Sequence, residues 1–144
     1  MPRRATQTNP HVRTRRDHAS ETAEDYVEAI DDMVRGQGEC RVVDLARHFG
    51  VSHVTVSRTT SRLVRDGLAD THPYGPISLT SQGVALAQAA RRRHEIVLEF
   101  LRVLGVSDRT ATTDAEGIEH HCSDETLQKM LSFIANARMT DGAE

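Results

Sequence analysis

The stretch from residue 41 to residue 66 constrains the fold more than any other part of this 144-residue chain. Val42, Val43, Leu45, Ala46 and Phe49 recur at helical spacing and are closed by Gly50. Ser52 then stands as an N-cap before a second apolar set, Val56, Thr60, Leu63 and Val64, which stops at Asp66-Gly67. Two short helices joined by a glycine turn at this spacing are the pattern of a helix-turn-helix. Directly after it come Leu68-Ala69-Asp70-Thr71, a turn through His72-Pro73-Tyr74-Gly75-Pro76, and Ile77-Ser78-Leu79, which predict two short strands. A helix-turn-helix followed by such a hairpin is a winged helix.

The rest reads as helices. From Ser20, an N-cap candidate, Tyr26, Val27, Ile30, Met33 and Val34 form one apolar stripe that ends near Gly36-Gln37-Gly38. Thr80-Ser81 opens a long helix reaching about Leu104, with the stripe Leu86, Ala90, His94, Val97, Leu101 and Leu104. Ser107 caps a fifth helix carrying Ala111, Ala115, Ile118 and Cys122 on one face. Ser123 caps a sixth with Leu127, Met130, Leu131 and Ile134 inward, its Asp124 and Glu125 complementing the helix dipole. Aromatic residues make up only 3% and Trp is absent, which suits helices packed through aliphatic side chains rather than a sandwich of strands. The expected architecture is mainly α. It has a disordered basic tail (1–20), a winged-helix domain (21–80), a helical domain (81–138) and a frayed end (139–144).

The net charge of −3 is unevenly distributed. Residues 1–20 hold five Arg against Asp17 alone, and residues 41–65 hold five Arg against Asp44 alone, whereas residues 107–144 hold eight acids against three bases. One half can meet phosphate while the other holds a cation. On the second helix of the helix-turn-helix the apolar positions leave His53, Thr55, Ser57, Arg58, Ser61, Arg62 and Arg65 outward. The N-terminal part of such a helix enters the major groove. Arg58 suits bidentate contact with guanine and Thr55 suits a base edge or a thymine methyl; Arg62 and Arg65 are better placed for phosphates or form an ordinary solvated face. No apolar run approaches a membrane span, and Arg3-Arg4 is followed by no hydrophobic export signal. Cys40 and Cys122 make no disulfide framework and suit reduced thiols in a cytoplasm.

The acidic rear carries the second motif, Asp114-Ala115-Glu116-Gly117-Ile118-Glu119-His120-His121. In a helix Glu116, Glu119 and His120 stand at i, i+3 and i+4 and crowd one face, where like charges repel unless a cation lies between them. Asp25 and Glu28 repeat the i, i+3 spacing upstream. Taken alone, the acids between Glu21 and Asp32 read as a solvated face and His94 as a core histidine. Cys122 falls in the apolar stripe and reads as core.

The runs Glu24-Asp25-Tyr26-Val27-Glu28, Arg93-His94-Glu95 with Phe100-Leu101 behind it, and Glu116-Gly117-Ile118-Glu119-His120-His121 resemble the diphtheria toxin repressor family, most closely its manganese transport regulator branch. The resemblance covers residues 21 to about 135. It implies a dimeric winged-helix repressor, loaded with divalent metal, whose residues 81–138 form the metal-binding and dimerisation domain. It also implies a paired-metal site, two Mn²⁺ per subunit, in which Glu116 and Glu119 touch both ions. Asp25 and His120 would complete one ion, Glu28 and His94 the other, and His121 would not be a ligand. In the iron-sensing branch a Met stands in place of Asp25 and a Cys in place of Glu116. Carboxylates with one imidazole per ion suit Mn²⁺, the weakest-bound of the divalent series, for which geometry rather than strength must select. The chain departs from the family at the wing tip, where Gly75-Pro76 replaces Arg-Gly and leaves His72 or Tyr74 for the phosphate contact. It also stops before the SH3-like third domain of longer members.

The expectation is therefore a cytoplasmic, manganese-responsive homodimeric repressor of metal-uptake genes. It would bind palindromic double-stranded DNA through His53, Thr55, Ser57, Arg58, Arg62 and Tyr74, with no membrane partner, no small-molecule substrate and no enzymatic activity. Metal would set the two recognition helices about 34 Å apart, one turn of DNA. Two alternatives stand beside it: the same repressor answering Fe²⁺, and a small two-metal carboxylate hydrolase.

Overall fold

The computed structural model describes residues 10–142, with side chains from His18 onward. The elements are α1 (Pro10–Gln37), α2 (Val42–Phe49), α3 (His53–Arg65), β1 (Ala69–Thr71), β2 (Ile77–Leu79), α4 (Ser81–Val103), α5 (Asp108–Ile118), a 3-10 turn (Glu119–His121) and α6 (Asp124–Asp141).

Local chemistry sets most boundaries. Gly50 closes α2 in the left-handed region, at φ 64°, where its N–H donates to the Ala46 carbonyl. Ser52 caps α3, its Oγ accepting from the Thr55 N–H at 3.1 Å, and Ser123 caps α6 in the same way through Thr126 at 3.2 Å. β1 and β2 pair antiparallel with Ala69 opposite Leu79, and the Ile77 N–H donates to the Cys40 carbonyl at 2.7 Å, which pins the wing to the entrance of α2. At the tip Tyr74 is left-handed, at φ 59°, and its carbonyl accepts from the Arg41 guanidinium at 3.1 Å.

Two apolar cores share α4. The first joins Tyr26, Val27 and Ile30 of α1 to Leu45, Val56, Leu63, Ile77 and, from α4, Ala87. The second joins Ile96 and Val97 of α4 to Ala115 and Leu127. Gly83, in the first turn of α4, lies so near the strand entrance that a Cβ there would sit 2.0 Å from the Leu68 carbonyl oxygen. A glycine is therefore required at this crossing.

Three expectations are corrected. The first helix begins at Pro10, not Ser20, so residues 10–20, expected in a disordered tail, are helical; no Gly or Pro interrupts residues 11–35, and Pro suits a first helical position. Residues 1–9 of that tail lie outside the described residues, as do 143–144 at the other end, while 139–141, expected to fray, continue α6. Val34, Val64, Leu104 and Ile118, expected inward, lie at the surface. Val34 and Val64 each stand one residue, about 100°, beyond the stripe that Met33 and Leu63 belong to, and Leu104 and Ile118 fall at helix ends past the packed turns. Among the described residues no helix is long and apolar enough to cross a membrane.

Candidate functional site

The acidic face of α1 meets α4 and the turn after α5. Glu21, Asp25 and Glu28 share that face at i, i+4 and i+7. α4 contributes His94. The rear motif contributes Glu116 from α5, but the α-helix ends at Ile118, and Glu119–His121 tighten into a 3-10 turn rather than continuing it. The tighter turn sends Glu119 and His120 under α1, so Glu119 is only 2% exposed.

Glu119 stands between two imidazoles. Its Oε2 lies 2.9 Å from His94 Nδ1 and its Oε1 3.4 Å from His120 Nε2. His120 Nε2 also lies 3.1 Å from Asp25, and His94 Nδ1 lies 3.9 Å from Glu116. The donor atoms thus gather in two groups, Glu21–Asp25–His120 and His94–Glu116–Glu119, each within 4.8 Å. Of the expected ligands, Asp25, His94, Glu116, Glu119 and His120 fall in these groups. Glu28 does not, but with Asp25 and Glu116 it lines an adjoining cleft of about 290 Å³. His121 is exposed and lies 3.4 Å from Glu21 at the edge of the first group, without joining either group.

The negative charge is only partly compensated. Burial, with Glu28, Glu116 and Asp25 nearby, pushes the Glu119 carboxyl up to about 8 despite the opposing His120. Burial also raises Asp25 and Glu28, each with carboxylate neighbours adding to the shift. Burial disfavours a charged His120, yet the Glu24 hydrogen bond and the charges of Asp25 and Glu119 raise it above its ordinary value. Glu119 Oε2 has no hydrogen-bond donor, because its close contact with His94 lacks the alignment of a hydrogen bond. A buried carboxylate oxygen without a donor, among oxygens and imidazoles that repel or protonate one another, fits a divalent cation.

The sequence reading missed the support for this cluster. Two acids of the supposedly solvated face, Glu24 and Asp31, are buried at 7% and 8% exposure. Glu24 takes Arg93 of α4 at 2.5 Å and His120 Nδ1 at 2.5 Å. Asp31 takes Arg35 at 2.7 Å and Arg91 at 3.1 Å, and the two arginines hold its pKa below the usual value against burial. The available signal was Arg91 and Arg93, cations in the turn just before His94 that meet the acids of α1. Glu21 was likewise overlooked, although it shares the Asp25 face one turn back. Cys40 is buried, which pushes its thiol up to about 11, and Cys122 is half-buried beside the second core, so neither joins the donor groups.

On the opposite end, His53, Thr55, Ser57, Arg58 and Arg62 are all exposed on α3, and Tyr74 projects fully from the wing tip. A cleft of about 640 Å³ runs between them, lined by His53, Ser57, Ser61, His72 and Tyr74. The Thr55 hydroxyl contacts the Ser52 hydroxyl at 3.0 Å, so its methyl is the freer group for a base.

Comparison with known proteins places this architecture. Residues 18–77 match the family described as iron dependent repressor, N-terminal DNA binding domain, and residues 80–141 match iron dependent repressor, metal binding and dimerisation domain. The chain is 48% identical over 116 residues to the transcriptional regulator MntR of Escherichia coli O6:H1, across 81% of this chain and 75% of that protein. It is 33% identical over 111 residues to the HTH-type transcriptional regulator MntR of Bacillus subtilis strain 168, across 77% and 78%. A solved manganese-dependent transcriptional repressor in complex with manganese superposes with a TM-score of 0.70 at 30% identity, across 78% of this chain and 52% of that one. The chain thus spans about half the length of that solved structure. Winged helix, helical module and carboxylate–imidazole cluster at their junction define a DNA-binding transcriptional regulator. The chain belongs to the iron-dependent, or diphtheria toxin, repressor family, in its MntR branch.

Proposed function

We propose that this chain is a manganese-responsive repressor of metal-uptake genes, acting as a homodimer on palindromic operators. The observation that carries the reading is the position of Glu119, buried between His94 and His120 with an oxygen that no donor satisfies. Asp25 and His120 would hold one Mn²⁺, Glu28 and His94 a second, with Glu116 and Glu119 shared between them. When bound, the metal supplies positive charge to carboxylates that otherwise repel one another. Asp25 and Glu28 then hold α1, which belongs to the first core, against the turn and α4 of the second. α3 would present Arg58, Thr55, His53 and Ser57 to base edges, Arg62 to phosphate, and Tyr74 to the groove beside the wing. The exposed Leu104, Ile118, Phe133 and Met139 on the helical module offer apolar surface to a second copy.

The all-oxygen-and-imidazole donor set favours Mn²⁺ over softer metals, and neither cysteine reaches it. Fe²⁺ has nearly the same ligand preference, so the two are separated by titration. Under anaerobic conditions and fixed salt, Mn²⁺ is expected to drive operator binding at lower free concentration than Fe²⁺. Equal operator retention by metal-free protein ends the reading, and a lower Fe²⁺ midpoint transfers it to iron. Metal-dependent phosphoester turnover without DNA retention would favour a hydrolase instead. The Asp25→Met variant is expected to shift the response toward iron.

A further inference from the structure

His120 makes a contact that none of the proposed metal contacts explains. Its Nδ1 lies 2.5 Å from Glu24 Oε2, on the edge of the ring opposite Nε2, and Glu24 Oε1 receives the Arg93 guanidinium at 2.5 Å. Glu24 is buried, and the His120 side chain is only 2% exposed. A carboxylate paired with an arginine can only accept, so Nδ1 must carry a hydrogen, and in the neutral ring Nε2 then presents its lone pair. That lone pair faces Asp25 and Glu119.

We propose that Glu24, clamped by Arg93, is a positioning residue that fixes His120 in the tautomer able to bind a divalent cation through Nε2. The inference rests on the metal reading above and assigns a role to two residues outside the ligand set. A hydrogen-bonded partner on the second ring nitrogen of a metal-binding histidine fixes ring orientation and raises ligand basicity. Here the partner comes from α1 and its clamp from α4. Arg93 also precedes His94, so one arginine ties the turn carrying His120 to the helix carrying the other imidazole. The strut exists before metal arrives and lowers the ordering that binding requires.

Glu24→Gln tests it sharply. The Gln oxygen must face the donor-only Arg93, which leaves its NH₂ toward His120. Nδ1 can then only accept, the hydrogen moves to Nε2, and the metal-facing lone pair is lost. Nitrogen NMR of metal-free protein, taken at a pH where the His120 ring is neutral, is expected to report Nδ1–H in the native chain and Nε2–H in the variant. Calorimetric titration with Mn²⁺ alone is expected to show about 10–100-fold weaker binding at one position, the usual scale for such partners. Should Glu24→Gln not fold by circular dichroism, Arg93→Gln, which keeps Glu24 but releases its clamp, is read the same way, with mixed tautomers and weakened binding expected. An unchanged tautomer and isotherm in the folded variant overturns the strut. His120→Ala is the control for the underlying reading. If it loses one ion while Glu24→Gln keeps both, only the strut fails; if it too binds both as the native chain does, the metal assignment fails.

Discussion

Glu119 illustrates how a residue can weaken a fold that it serves. Its carboxyl titrates near 8 in the folded chain against an ordinary 4.5, so the folded state holds that proton more tightly than the unfolded one. The sign follows from linkage: its contribution is fully present below about pH 4.5 and is lost as pH rises toward 8. The raised His120 acts in the same direction, stabilising at low pH and fading as pH rises through its folded value. Metal-free protein is therefore expected to melt at lower temperature at pH 8 than at pH 5.5, and Glu119→Gln is expected to flatten that slope while abolishing Mn²⁺ binding. Thermal melts in chelator across this range check it; a variant with the native slope would remove Glu119 as the source. At the DNA face, Arg58→Ala is expected to cost about 1–3 kcal/mol in operator affinity and to relax preference at one base pair. Arg62→Ala is expected to weaken all sequences alike and lower the salt slope by about one, as a phosphate contact does. Gel-shift titrations over salt on matched and mutated operators separate the two.

The elements differ in how plainly the chain announces them. α2, α3 and the wing were legible because each boundary is a local event: Gly50 in its left-handed cap, Ser52 on the Thr55 N–H, a turn through Pro73 and Gly75. Five of the six proposed ligands were legible as a converging set because the family resemblance aligned them across three helices. Periodicity alone left His94 in an apolar stripe and the α1 acids on a solvated face. What local pattern does not encode is tertiary. The 3-10 turn at Glu119 brings His120 to Glu24 and Asp25 of α1, and the burial of Glu24 and Asp31 involves arginines more than fifty residues away in sequence. Gly83 shows the same limit, since nothing within α4 marks it as a contact with the Leu68 carbonyl. Gly83→Ala should raise helix propensity yet destabilise, because the 2.0 Å overlap meets backbone. A loss of about 1–3 kcal/mol is expected, read as a lower denaturant midpoint. A stabilised variant would show that the α4–wing crossing has slack.

At the scale of the whole molecule, the site lies where one core ends and the other begins, and this placement turns a binding site into a sensor. α4 belongs to both cores, so one helix joins the two modules, and α1 lays its acidic face against the turn. Arg91 on Asp31 and Arg93 on Glu24 already draw α1 toward α4, while Asp25, Glu28, Glu116 and Glu119 oppose closure. Neutralising the carboxylates removes the opposing set, and if DNA prefers the geometry so held it must in turn favour metal. Coupling of this kind is reciprocal: operator DNA is expected to tighten Mn²⁺ binding by the same factor by which Mn²⁺ tightens operator binding, typically about 5–150-fold. Because the Glu119 carboxyl is pushed up to about 8 and His120 lies above its ordinary value, binding must also displace protons. At one subsaturating Mn²⁺ concentration and one salt concentration, operator affinity should therefore rise from pH 6 to pH 8, with proton release in calorimetry run in buffers of different ionisation enthalpy. Unequal coupling factors would expose a change of oligomeric state in one titration. Operator affinity independent of both Mn²⁺ and pH would sever the cluster from the recognition helices and leave it a structural site alone.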